Sequence, residues 1–133
     1  MEFDHVSMRY KGGGENALTD IDFSMKRGET VGVIGGTGSG KTTLVNLVPH
    51  FYDVTEGSVK VAGKDVRRYD PEKLRGRIGV VPQRALLFKG TIRDNLRWGN
   101  PAATDEELLE AARIAQAEQV IKDKGGRDAA VDQ

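Results

Sequence analysis

Polar and apolar residues alternate in two segments near the start of the chain. From Phe3 to Tyr10 the apolar face is clearest at Val6 and Met8, which assigns Phe3 to the opposite face. In the second segment, three apolar residues alternate with polar ones: Ile21, Phe23 and Met25. A period of two is typical of a strand that buries one face. The pattern therefore predicts two half-buried strands.

Two further segments, Thr30–Ile34 and Ile78–Val81, are almost continuously apolar, and the second ends before Pro82. This composition is typical of central parallel strands, because helices cover both of their faces. We therefore predict that both segments are buried strands. Residues 58–62 are predicted to form a shorter strand that ends at a turn.

Helix starts are predicted at several capping residues. A first helix is predicted over Gly40–Val48, since Pro49 disfavours helical backbone in the residue before it. Asp70 precedes Pro71, a pair that favours the start of a short helix. Thr91 is similarly placed to cap a helical turn that continues through residue 96.

The clearest helix pattern begins at Thr104. Glu107 follows three residues later, which completes a capping box. Apolar residues then recur at helical spacing: Leu108, Ala112 and Ala115, with Leu109 beside them. The helix is predicted to continue until Gly125-Gly126, because glycine commonly ends helices.

Composition and charge narrow the function classes. The 133 residues contain 20 Lys or Arg and 20 Asp or Glu, so the formal net charge is zero. A balanced charge does not indicate a nucleic-acid partner. The chain has no cysteine, which excludes disulfides and thiol catalysis, and no apolar run reaches the ~20 residues of a membrane-spanning helix. We expect one soluble domain, or part of one.

The main candidate for chemistry follows the apolar segment that ends at Ile34. Residues 35–43 read GGTGSGKTT, which contains the G-x-x-x-x-G-K-[ST] spacing of a phosphate-binding P-loop. Glycines allow backbone N–H groups to converge on a polyphosphate, and the helix that follows contributes its N-terminal dipole. Lys41 can place its charge on the β- and γ-phosphates, and the Thr42 hydroxyl can ligate Mg²⁺. An ordinary glycine-rich turn is the alternative, and the flanking strand and helix patterns disfavour it.

With these motifs, essentially the whole chain resembles the first half of the nucleotide-binding domain of ATP-binding cassette (ABC) transporters, most closely the multidrug and lipid exporter type. The resemblance implies that the cofactors are ATP and Mg²⁺, with Tyr10 stacked on adenine and Thr43 at the α-phosphate. Thr42 departs from the serine that is commoner in the family, but either hydroxyl can ligate Mg²⁺. The implied nucleotide-binding residues are Tyr10, Gly35, Gly36, Thr37, Gly38, Ser39, Gly40, Lys41, Thr42 and Thr43.

Gln83, in the segment Val80-Val81-Pro82-Gln83, resembles the glutamine of the family's Q-loop. The resemblance implies that Gln83 is a catalytic residue and, with Thr42, a Mg²⁺ ligand; an exposed loop glutamine is the alternative. The segment Leu86–Leu96 resembles the exporter pattern, which implies a surface that docks a helix of a membrane domain. Core packing of its apolar residues is the alternative.

The implied fold class is α/β, a truncated P-loop NTPase-like (RecA-like) core with an N-terminal antiparallel β section. Residues 1–90 would form the ATP-binding core, and residues 91–133 would begin an α-helical subdomain. Several motifs of the family are missing from the sequence: the LSGGQ signature, the Walker B segment, the D-loop and the switch histidine. Phosphoryl transfer needs a positioned water and a fully ligated metal. We therefore expect Mg-ATP binding without efficient hydrolysis, which leaves it uncertain whether the chain alone is an enzyme.

The resulting hypothesis is the ATP-binding portion of an ABC exporter's motor domain. Its implied partners are a nucleoside triphosphate, a transmembrane domain and a second nucleotide-binding domain, without nucleic acid. The implied location is the cytoplasmic side of the cell membrane, where hydrolysis and transport would belong to the intact protein. Two alternatives remain open: a non-catalytic module that senses nucleotide, and another P-loop NTPase such as a small kinase or GTPase.

Overall fold

The structure, a computed structural model, describes residues 1–131. It comprises two compact units, Met1–Gly79 and a second unit that starts at Val80. Each unit has its own sheet and its own helices. The functional division at residue 90 that the resemblance implies remains a prediction.

The first unit is built on a four-stranded antiparallel sheet. Its strands are β1 (Glu2–Met8), β2 (Leu18–Ser24), β3 (Glu56–Val61) and β4 (Lys64–Asp65), in the order β2-β1-β3-β4. In β2 the predicted alternation is confirmed, because Ile21 and Phe23 are half-buried between exposed polar neighbours. The strand predicted over residues 58–62 is also present, two residues earlier at its start.

The alternation predicted for β1 is wrong at Phe3. Phe3 and Val6 are both fully buried, although they are three positions apart and a regular strand would place them on opposite faces. The pairing of β1 with β2 shifts between these two residues, and His5 has a left-handed φ of 45°. Such a bulge adds a residue to one strand and reverses which side chains face the core. Phe3 can therefore stack on Phe23 across the sheet, with ring centroids 4.8 Å apart.

Two short helices cover the sheet, α1 (Lys41–Leu47) and α2 (Pro71–Arg75). Each contributes one fully buried leucine to the core, Leu47 and Leu74. Burying a leucine side chain stabilises a fold by about 1.5–3 kcal/mol. Helix α2 begins as predicted, because the Asp70 side chain accepts a hydrogen bond from the Glu72 backbone N–H. A single 3₁₀ turn, Val66–Arg68, lies between β4 and α2.

The two central parallel strands predicted at Thr30–Ile34 and Ile78–Val81 are not formed. Both segments lie outside helices and strands, and Ile34 and Val81 are 98% and 97% exposed. All strand pairs within residues 1–131 are antiparallel. An apolar segment becomes a central strand only when strands pair with it on both sides, and no described strand pairs with these two.

The second unit contains three helices and one small antiparallel pair of strands. The strands are β5 (Gly90–Thr91) and β6 (Ala130–Val131), and the helices are α3 (Ile92–Leu96), α4 (Asp105–Ile114) and α5 (Glu118–Asp123). Another 3₁₀ turn, Arg97–Gly99, follows α3. Both predicted helix starts are confirmed: Thr91 forms a capping box with Asp94, and Thr104 forms one with Glu107.

The single helix predicted from Thr104 to Gly125-Gly126 is divided into α4 and α5. The division lies at Gln116, whose φ of 56° is incompatible with a right-handed helix. The buried face of α4 is as predicted at Leu108 and Ala112, whereas Ala115 is exposed. The predicted stop is confirmed for α5, since Gly125 and Gly126 both have positive φ and the Gly126 N–H bonds the Ile121 carbonyl at 2.9 Å.

Candidate nucleotide-binding site

The glycine-rich segment forms a loop, Gly35–Gly40, that is exposed as far as Ser39 and leads directly into α1. Gly38 and Gly40 have φ of 77° and 92°, a region that glycine adopts without steric cost. A Cβ on Gly40 would lie 2.6 Å from the carbonyl oxygen of Ala17 and 3.0 Å from a methyl group of Leu18. The loop therefore passes so close to the start of β2 that glycine is required at this position.

The ammonium group of Lys41, the first residue of α1, lies against the backbone of this loop. This ammonium donates hydrogen bonds to the carbonyl oxygens of Gly35 at 2.5 Å and Gly36 at 2.7 Å, and to the Ser39 hydroxyl at 3.2 Å. Lys41 is the only charged residue between Gly35 and Thr43. A cation held by weak neutral acceptors can exchange them for phosphate oxygens, which form stronger, charge-assisted hydrogen bonds.

The loop is also tight at Gly35. A Cβ on Gly35 would lie 2.5 Å from the Ser39 hydroxyl oxygen, so a larger residue would displace the Ser39 side chain. Glycine at such a position lets a ligand approach the backbone closely. The residues present therefore fit a polyphosphate, with the positive charge of Lys41 available to it.

The structure brings Tyr10 together with the first turn of α1. The Tyr10 hydroxyl and the Thr43 hydroxyl lie 2.6 Å apart, within hydrogen-bond distance. Thr43 is buried, whereas Thr42, on the preceding residue of α1, is exposed and open to an incoming metal. Tyr10 and Thr43, which the resemblance assigns to the adenine and the α-phosphate of one nucleotide, are thus in direct contact.

Tyr52 is a residue of this site that the sequence analysis missed. Its ring meets the ring of Tyr10 edge-on, with centroids 5.2 Å apart and an angle of 88° between the planes. Tyr52 lies in the connection between α1 and β3, 42 residues after Tyr10. The tyrosine itself is visible in the sequence, but its partner depends on the tertiary fold and no local pattern indicates it.

The ABC transporter family model matches residues 18–131 of the chain. That range includes the loop with Lys41, both helices of the first unit and the described second unit from β5 to β6. The chain belongs to the ABC transporter family. Membership implies the P-loop NTPase fold, with which the antiparallel sheet and the helix that follows the loop are consistent.

Two relatives show which ABC transporters the chain is similar to. It is 46% identical over 121 residues to the putative multidrug export ATP-binding/permease protein YgaD of Bacillus subtilis (strain 168). It is 43% identical over 121 residues to a putative multidrug export ATP-binding/permease protein of Staphylococcus aureus (strain NCTC 8325 / PS 47). Each match covers 91% of this chain but only 21% of the relative. The chain thus spans about a fifth of the length of these relatives.

Gln83, the residue predicted for the Q-loop of this ABC transporter chain, lies in the second unit. It is exposed and sits at a bend in an irregular segment. Its predicted roles in catalysis and in Mg²⁺ binding remain predictions. None of the helices within residues 1–131 combines the length and the apolar composition of a membrane-spanning segment.

Exposed apolar side chains follow Gln83 in the segment that resembles the exporter pattern. Leu86, Leu87 and Phe88 are exposed, so the alternative in which all three pack in a core does not apply to the described structure. The Phe88 ring stacks on Trp98 at 4.4 Å, and the Asn95 side chain bonds both the backbone N–H and the carbonyl of Phe88. The segment is thereby anchored to α3 while its leucines remain accessible.

Proposed function

We propose that this chain is the ATP-binding portion of the motor domain of an ABC exporter. The observation that carries the proposal is the position of Lys41, whose ammonium donates hydrogen bonds to the Gly35 and Gly36 carbonyls of a loop that requires glycine at Gly40. Such a loop, immediately before a helix, is a polyphosphate-binding arrangement. Family membership and the names of the relatives support ATP as the nucleotide.

Each residue has a distinct role in this proposal. Lys41 neutralises the β- and γ-phosphates, and the backbone N–H groups of the loop bind their oxygens. The Thr42 hydroxyl and Gln83 are the proposed Mg²⁺ ligands. When bound, Mg²⁺ supplies positive charge that stabilises charge developing on the transferred phosphoryl group. Thr43 is assigned to the α-phosphate, and Tyr10 stacks on adenine.

Hydrolysis and transport are assigned to the longer protein of which this chain would be a part. The names of the relatives combine an ATP-binding part with a permease, which supports a transmembrane domain as partner. The exposed leucines Leu86 and Leu87 are the proposed contact with that domain. A second nucleotide-binding domain and a location on the cytoplasmic face of the membrane complete the proposal.

The experiment that tests this proposal is thermal unfolding of the chain with and without Mg-ATP. At a ligand concentration of 100 times the dissociation constant, binding stabilises the folded state by about 2.7 kcal/mol, and the melting temperature rises by several degrees. We expect Lys41→Ala to abolish this shift. Lys26→Ala, which removes an exposed lysine of the same unit, should keep it.

Three outcomes would contradict the proposal in different ways. A shift that persists in Lys41→Ala would show that ATP binds elsewhere. A larger shift with Mg-GTP than with Mg-ATP would favour a different P-loop NTPase. If Mg-ATP does not shift the melting temperature of the wild-type chain, these residues do not form an ATP-binding site by themselves.

A further inference from the structure

The ring of Tyr10 is fixed at two points. Its hydroxyl lies 2.6 Å from the Thr43 hydroxyl, and its ring lies nearly perpendicular to the Tyr52 ring, with centroids 5.2 Å apart. The backbone at Tyr10 is held as well, because its carbonyl accepts a hydrogen bond from the Gly13 N–H at 2.9 Å. A tyrosine at the end of a strand would otherwise turn freely about its side-chain torsions.

Tyr52 follows a turn at Pro49 and His50 whose backbone is hydrogen-bonded to α2. The Arg75 guanidinium donates hydrogen bonds to the carbonyl oxygens of Pro49 and His50, both at 3.1 Å. The same guanidinium lies 4.9 Å from the centre of the Phe51 ring. Helix α2 thus fixes the turn that carries Tyr52, and Tyr52 in turn limits the positions open to Tyr10.

We propose that Tyr52 is a positioning residue for the adenine of ATP, acting through the ring of Tyr10. The inference rests on the proposed function, since it assumes that Tyr10 stacks on the base. Tyr10 is 39% exposed, which leaves ring surface available to a base while Tyr52 and Thr43 hold the ring in place. A side chain that is already held in its bound orientation improves affinity, because it loses less conformational entropy when the ligand binds.

The contact with Thr43 gives this arrangement a further consequence. Thr43 belongs to the segment proposed to bind phosphates, so one hydrogen bond joins the proposed adenine and phosphate subsites. Tyr52 contacts the ring of Tyr10, which is assigned to the adenine subsite. A change at Tyr52 should therefore reduce affinity for a ligand that carries adenine and leave affinity for a bare polyphosphate unchanged.

The test is isothermal titration of the chain with Mg-ATP and, separately, with inorganic tripolyphosphate and Mg²⁺. We expect Tyr52→Ala to weaken Mg-ATP binding about three- to tenfold, the effect of losing one aromatic pair. Tripolyphosphate binding should change less than about twofold, within experimental scatter. Tyr52→Phe should restore ATP affinity, because the edge-on contact needs the ring and not the hydroxyl.

Trp98→Ala is the control. It removes an exposed aromatic side chain of the second unit and leaves the Tyr10–Tyr52 pair in place. The ratio of ATP to tripolyphosphate affinity should stay at the wild-type value in this variant. Equal weakening of both ligands by Tyr52→Ala, or no weakening of either, would overturn the inference.

Two further variants separate failure of this inference from failure of the proposed function. Lys41→Ala should abolish binding of both ligands, and if it does not, the proposed phosphate site is wrong. Tyr10→Ala should weaken binding of Mg-ATP more than binding of tripolyphosphate. If Tyr10→Ala does not change the affinity for ATP, Tyr10 does not stack on adenine and Tyr52 cannot act through it. If both variants behave as expected and Tyr52→Ala binds ATP like the wild type, only the inference about Tyr52 fails.

Discussion

Gly40 illustrates how a single residue determines the shape of the loop. Its φ of 92° is left-handed, and a Cβ would lie 2.6 Å from the Ala17 carbonyl oxygen. A left-handed conformation costs an alanine about 1–2 kcal/mol, and the clash adds to this cost. We predict that Gly40→Ala lowers the free energy of unfolding by about 2 kcal/mol or more, as measured by urea denaturation.

Gly36→Ala is the control for that substitution within the same loop. Its backbone does not have a positive φ, and a Cβ there would meet no atom within 4 Å. Its free energy of unfolding should stay close to the wild-type value. If Gly40→Ala and Gly36→Ala lowered the free energy of unfolding equally, the cost would be a general effect of alanine in the loop, and Gly40 would have no special requirement for glycine.

At the scale of single residues, the sequence predicted the loop at Gly35–Gly40, whereas the binding roles of its residues stay predictions. The spacing from Gly35 to Thr42 is a local motif, so neighbouring residues alone were enough to predict a loop there. The contact of Tyr52 with Tyr10 joins residues far apart in the chain. Such a contact depends on how α1 and β1 pack on one another, which no window of neighbouring residues describes.

At the scale of elements, the bulge in β1 places His5 between carboxylates of β2. His5 Nδ1 lies 2.8 Å from the Asp20 carboxylate, and His5 Nε2 lies 3.6 Å from the Asp22 carboxylate. The hydrogen bond with Asp20 is the largest cause that raises the pKa of His5 above 6.5, and the negative charges of Asp22, Asp20 and Asp4 also contribute. The protonated ring is therefore favoured in the folded chain.

This raised pKa predicts how the pairing of β1 with β2 responds to pH. Because the folded pKa of His5 exceeds its unfolded value, the stabilisation is fully present below the unfolded pKa of about 6.5. It is lost as the pH rises from there through the higher folded pKa of His5. We expect the denaturation midpoint of the wild-type chain to fall across this window when urea unfolding is repeated at a series of pH values.

Substitutions at either partner should reduce this pH dependence. His5→Gln removes the titrating group, and Asp20→Asn removes its main hydrogen-bond partner. Glu15→Gln, at an exposed carboxyl in the loop between β1 and β2, should leave the dependence unchanged. An unaltered slope in His5→Gln would show that another group titrates in this range.

Among the elements, those whose causes are local were predicted correctly. The capping boxes at Thr91 and Thr104 need only residues within one helical turn, and both are present. The bulge at His5 and the break at Gln116 were missed, because each is a left-handed residue without glycine. Side-chain periodicity does not report backbone conformation at a single non-glycine position, so both errors have the same physical origin.

At the scale of the whole molecule, the largest difference from the sequence prediction is the state of the two central strands. Their hydrophobic composition was interpreted as burial, but composition reports only that a segment favours a covered environment. Whether such a segment is buried as a central strand depends on neighbouring strands that pair with it. The antiparallel strands β1, β2 and β3 supply such neighbours for one another. The sequence predicted all three as strands, although the face that it assigned to Phe3 in β1 was wrong.

The exposed segments predict that copies of the chain associate. Ile34 and Val81 are 98% and 97% exposed, in segments with strand-like composition and no described pairing. Unpaired strand backbone with apolar side chains is a template for pairing with another chain. We predict concentration-dependent association in sedimentation velocity, and expect Ile34→Lys and Val81→Lys each to reduce it, since a charge disfavours burial between copies.

Ile114→Lys distinguishes strand pairing from simple apolar contact. Ile114 is 74% exposed, but it belongs to α4, where the backbone groups are already hydrogen-bonded within the helix. Its replacement should leave association unchanged if unpaired backbone is the cause. If Ile114→Lys reduced association as strongly as Ile34→Lys, apolar exposure alone would explain the self-association, and the two apolar segments would have no special part in it.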